Sequence, residues 1–182
     1  PSIALQAFVI LMLSMVIIGT LMDIIHKKNV KYFFNNAKKA KKSAKKELSI
    51  GEKTAIISKT VVHDIGTTSE LGLGKRRAAH VLGMYGTILF WTGSAVMIFG
   101  YGNTNSTPYI WPIIWHVGAI LTCLGGYWFW FFLRVDVSAE AHSVFRIIKA
   151  DLFVLALVLS STFGLVWSYF QYSGLGGLSN LF

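Results

Sequence analysis

Apolar residues gather along the chain in four long runs, with the charged residues pushed into the stretches between them. The runs cover about residues 3–25, 78–99, 110–133 and 152–172. A bilayer core takes about 20 helical residues to cross, and a segment inside it must satisfy its own backbone, which a helix does. The pattern therefore predicts an all-α integral membrane chain of four transmembrane helices, a single membrane domain over residues 1–182. The first run has no basic leader and stops at Asp23, His26, Lys27 and Lys28, so it reads as a span and not as a cleaved signal.

Composition agrees with that class and excludes others. Hydrophobic residues make up 54% of the chain and charged residues 14%, against about 25% charged in a soluble domain. The net charge of +9 would suit nucleic acid, but its distribution argues for a membrane. Of 17 basic residues, 14 lie between Lys27 and Arg77, and Arg134, Arg146 and Lys149 share the next connection on the same face. Residues 101–112 and the tail after Tyr172 carry no Lys, Arg, Asp or Glu. The positive-inside rule then predicts both termini outside and both charged connections in the cytoplasm of a multi-pass cell-membrane protein. The lone Cys123 excludes an internal disulfide and any Cys-x-x-Cys site.

The 27–77 connection is long and basic, a surface for lipid headgroups or for a cytoplasmic partner and not for nucleic acid. Its first part, Lys38 to Lys46, is a helix-compatible lysine run. In its second part Ser49 and Glu52 have capping-box spacing. Ile50, Ile57, Val61 and Ile65 then recur on one face of an amphipathic helix. Gly86, Gly93 and Gly100 repeat every seven residues in the second span, as do Gly118 and Gly125 in the third. Such spacing suits close helix approach, or room for a flat macrocycle. Tyr109, Trp111 and Trp115, with Trp128 to Phe132, fit an interfacial aromatic belt.

Histidines carry the candidate chemistry. His80 follows Arg77 just inside the second span, and His116 lies near the outer end of the third. An ionisable group within a span is a functional-site candidate, and neutral imidazole is the usual axial ligand of a membrane haem. His80 and His116 are therefore the candidate haem-iron ligands. The depth between them is about 15 Å within a core of about 30 Å, too far to share one iron. His26 and His142 are further cofactor-binding candidates that could meet His80 near the inner surface. A zinc or copper site would need several ligands at one depth, which only that inner group approaches. Asp151 reads as an interfacial ion pair with Arg146 and Lys149; together with Arg134 the group could instead hold haem propionates or pass protons to a quinone.

Three stretches resemble one family. The first span ends in the basic segment Asp23 to Lys46. The second opens Arg76-Arg77-Ala78-Ala79-His80-Val81-Leu82-Gly83-Met84-Tyr85-Gly86. The fourth contains Ala150-Asp151-Leu152-Phe153-Val154 and Thr162-Phe163-Gly164-Leu165. Together they resemble the membrane b-type cytochromes related to the gamma subunit of respiratory nitrate reductase, which include heterodisulfide-reductase-like membrane subunits. The resemblance implies that His80 is the inner haem ligand of the second span. The family's outer ligand falls at Phe90, which cannot ligate. Its fifth span, the source of the partner histidines, has no counterpart in residues 1–182. The second ligand is then expected from His142, His26, another subunit or residues beyond this sequence.

The function so implied is that of a respiratory-complex membrane subunit. It carries electrons through haem b between a quinone and the redox centres of partner subunits, with no substrate chemistry of its own. The competing expectation is a haem-free structural or anchor subunit of a larger membrane enzyme. A transporter or channel is disfavoured, because the spans hold few ionisable groups and no broken-helix or inverted-repeat signal.

Overall fold

The computed structural model describes residues 2–26, 29–43, 49–72, 74–102, 106–136, 143–149 and 151–174. Every regular element among them is a helix. Four helices are long and apolar enough to cross a membrane: Ile3–His26, Lys75–Gly100, Ile110–Leu133 and Asp151–Tyr172. The four expected runs coincide with them to within a few residues. The chain divides into two compact units, residues 1–58 and 59–182.

The first unit holds α1 (Ser2–His26), α2 (Asn29–Lys42) and nearly all of α3 (Ile50–Lys59). Apolar side chains surround α1 on all sides, as lipid contact demands. Two hydroxyls inside the helix are satisfied by its own backbone: Ser14 donates to the Ile10 carbonyl and Thr20 to that of Val16, each at 2.8 Å. The expected capping box opens α3. The Ser49 amide donates to Glu52 Oε2 at 2.8 Å, and the Glu52 amide donates to Ser49 Oγ at 3.2 Å.

The second unit is built on three helices. They are α4 (Lys75–Ala95), extended by a π-helical turn Val96–Gly100; α5 (Ile110–Trp128), extended by another at Phe129–Leu133; and α6 (Asp151–Tyr172). Helices α4 and α5 meet backbone to backbone through glycines. A β-carbon at Gly118 would lie 2.8 Å from Phe90 Cα and 2.9 Å from the Gly86 carbonyl oxygen. One at Gly125 would lie 2.6 Å from the Ala79 oxygen, and one at Gly86 2.8 Å from the Leu121 carbonyl carbon. The seven-residue glycine spacing thus serves helix approach at Gly86, Gly118 and Gly125, with no room left there for a macrocycle.

Trp115 departs from the aromatic-belt expectation. Its indole wedges between α4 and α6: Nε1 donates to Ser94 Oγ at 3.0 Å, and the ring lies 5.2 Å from that of Phe90. Gly93 and Gly164 supply the space, since a β-carbon at either would stand 3.0 to 3.1 Å from Trp115 atoms. A hydrogen-bonded indole in a helix contact is worth more than one left at the interface.

Candidate functional site

Helices α4, α5 and α6 border an open-sided cavity of about 580 Å³. That is within the range of about 300–1,000 Å³ typical of small-molecule and cofactor sites. The walls are Met84, Ile88 and Trp91 from α4, Phe129 and Leu133 from the end of α5, and Phe153 and Leu157 from α6. His80 lies on the α4 wall, and Arg76 stands one turn before it. The floor is glycine-lined: Gly83, Gly125 and Gly126 all face the space. Nothing lies within 4 Å of a β-carbon built on Gly83, so the turn after His80 opens onto the cavity while Gly86, one turn further, is closed by α5.

The histidines separate by what stands opposite each. Among the described residues no hydrogen bond engages the His80 ring, which is exposed along the cavity. His116 is committed on both sides. Its Nδ1–H donates to the Pro112 carbonyl at 2.7 Å, so the neutral ring must accept from Ser168 Oγ at Nε2, also at 2.7 Å. Neither nitrogen is left for a metal, and Ala119, one turn further on, is fully buried. His116 does not line the cavity; in this structure it ties α5 to α6. His26 ends α1 in the first unit, exposed. His142 lies outside the described residues. Among those residues, no three His, Cys, Asp or Glu side chains group as a metal site would require.

The ion-pair expectation for Asp151 changes partner. Neither Arg146 nor Lys149 but Arg134, at the end of α5, pairs with it: Nη2 lies 2.6 Å from Oδ2 and Nε 3.2 Å from Oδ1. Arg134 is 0% exposed and Asp151 4%. A buried guanidinium must fill all its donor positions, and Arg134 also donates to the Ser143 and Arg146 carbonyl oxygens. Its plane sits 4.3 Å from the Trp130 ring centroid, one turn back. The π-turn that closes α5, with the Arg134 amide bonded to the Phe129 oxygen at 2.9 Å, leads into this clamp. Arg134 is therefore not free to receive a propionate; among the described residues Arg76 is the cation on the cavity, and only its neighbourhood to His80 in the sequence signalled it.

Before α4, residues 60–72 form a folded strap. Tyr85 donates from its hydroxyl to the Gly66 oxygen at 2.6 Å, and Arg77 Nε donates to the Thr67 oxygen at 2.8 Å. His63 Nδ1 faces both Asp64 Oδ1 (3.1 Å) and Ser69 Oγ (2.8 Å), and Ser69 donates to Asp64 at 2.8 Å. The His63 and Ser69 hydrogen bonds hold the Asp64 carboxyl below its ordinary range. A hydrolytic relay needs serine and aspartate on opposite ring nitrogens; here one nitrogen serves both, so the trio is a loop clamp. Leu71, at the end of this strap, contributes to the cavity wall.

The cavity thus combines a single unengaged imidazole, an open glycine beside it, apolar walls and an arginine. No second histidine lines the cavity among the described residues. Comparison with protein-family models, curated proteins and solved structures returned no match.

Proposed function

We propose that this chain is a multi-pass cell-membrane subunit of a respiratory complex, passing electrons between a quinone and the redox centres of partner subunits through haem b bound beside His80. Both termini lie outside, and the basic 27–77 connection is cytoplasmic, where a partner docks. The observation that carries the reading is the unengaged His80 ring on an apolar cavity of about 580 Å³. The resemblance of residues 76–86 to the b-type cytochrome family points to the same side chain. The bound haem would supply a one-electron carrier. His80 would hold the iron, and the opening at Gly83 would leave space for the macrocycle beside it. Met84, Trp91, Phe129 and Leu157 would exclude water, and so set the potential through burial. Arg76 is the cation for a propionate. A second ligand would come from His142 or from another subunit.

A second reading is favoured by one observation, that His80 is alone on the cavity among the described histidines. The chain would then be a haem-free anchor subunit whose cavity takes an acyl chain. Reduced-minus-oxidised spectra of the purified complex decide between them. A b-type band lost in His80→Ala, with helicity by circular dichroism retained, supports ligation. A band unchanged by the substitution, or no band at all, leaves the anchor reading.

A further inference from the structure

Helix α2 begins at Asn29, three residues past the end of the lipid-facing α1. Its fourteen residues include Lys31, Lys38, Lys39, Lys41 and Lys42 and no acid. At 100° per residue, Val30, Phe33, Phe34, Ala37 and Ala40 fall within one arc of about 120°. Lys31, Asn35, Lys38, Lys39 and Lys42 occupy the other side, and Lys41 falls on the apolar side one turn beyond Ala37. The apolar arc is uncovered: Phe33 is 68% and Phe34 58% exposed, with the two rings edge to face at 5.8 Å.

Two bare phenylalanines on a water-facing helix lose the free energy of burying their rings, which is large. A soluble partner would supply a groove, but the charge pattern selects something flatter. Lys31, Lys38 and Lys42 line one edge of the apolar arc where headgroups would stand, and their stems can reach past it. Their sign is uniform, and the membrane exit of α1 holds the helix at the bilayer surface. An amphipathic helix with low overall hydrophobicity and lysines beside its aromatic face lies in the plane of an anionic interface. We infer that α2 is a lipid-binding helix that lies in the leaflet where α1 ends, its Phe33–Phe34 face among the acyl chains and its lysines on anionic headgroups. This site is independent of the haem reading and needs only that α1 spans.

The test uses the full chain with Cys123→Ser, reconstituted in vesicles of phosphatidylcholine alone or mixed with phosphatidylglycerol. A single cysteine at Ala37 or at Asn35 carries an environment-sensitive fluorophore, probed with the neutral quencher acrylamide. The label at residue 37 is expected to be protected in the anionic vesicles and quenched in the neutral ones, while the label at residue 35 stays accessible in both. A lysine at an anionic surface is worth about a fivefold change in partitioning. Replacing Lys38, Lys39, Lys41 and Lys42 by Gln should therefore lower the protected-to-accessible ratio by more than about tenfold. Equal quenching at residue 37 in the two vesicles would overturn the inference. So would protection that appears in neutral vesicles only when polyglutamate is added, which would make the face a site for acidic polypeptide. The haem band plays no part in this readout, so the two proposals fail separately.

Discussion

Removing one partner from the Arg134–Asp151 pair strands a charge in a place without water. Such a loss costs about 3–5 kcal/mol, whereas replacing both partners by apolar groups of similar volume is often neutral. Arg134→Ala should therefore lower thermal stability in detergent sharply, and Asp151→Asn somewhat less, since an amide oxygen still accepts. The double variant Arg134→Met, Asp151→Leu should be more stable than Arg134→Ala. Melting followed by circular dichroism checks the order, and a double variant as unstable as the single would show that the carbonyl contacts to Ser143 and Arg146 carry the clamp instead. Little of this was legible from residue types. The sequence offers Asp151 three nearby cations, Arg134, Arg146 and Lys149. The one that pairs is the most distant in sequence, because a π-turn and a Trp130 face present it to the start of α6. The two span histidines posed the same difficulty. His80 and His116 look alike in an apolar run, and what separates them is Ser168, 52 residues from His116.

Along α4, two glycines one turn apart answer to opposite rules. Gly86 is pressed against the backbone of Leu121 and Thr122, while Gly83 looks into the cavity. Gly86→Ala forces the helices apart, at about 1–3 kcal/mol for overpacking a tight contact. Gly83→Ala should leave stability within about 0.5 kcal/mol, the usual range for a substitution that meets nothing. The larger Gly83→Leu should retain the fold yet fill the space beside His80, and so displace whatever occupies it; for a bound haem the b-type band would shrink. A Gly83→Leu protein with an undiminished band would remove the cavity from the account. The elements themselves were legible, since an apolar run of 22 to 26 residues bounded by charge at one end has one solution in lipid. The glycine repeat was legible as a contact surface. Its partner was not, because a seven-residue period states that some helix comes close and not which one, and it does not separate Gly86 from its neighbour at Gly83.

At the scale of the whole molecule the charge asymmetry makes the strongest claim. Fourteen of 17 basic residues fall in one connection, and the stretches assigned to the opposite face carry no charged side chain. Moving a lysine-rich segment across a bilayer is costly enough that basic residues near span ends set orientation, so the charge count predicts a topology that labelling can test directly. Cysteines introduced singly at Ser43 and at Thr107, on a Cys123→Ser background, report the two faces. In intact cells a membrane-impermeant maleimide should label residue 107 and spare residue 43 until the membrane is opened. The reverse pattern would turn the chain over and put the Arg76 end of the cavity outside. That outcome would also separate His80 from any cytoplasmic electron donor by the full thickness of the bilayer, about 30 Å. The topology experiment therefore constrains the electron-transfer proposal even before a spectrum is recorded, because a haem held at residue 80 is useful to a cytoplasmic partner only if that end of α4 faces it.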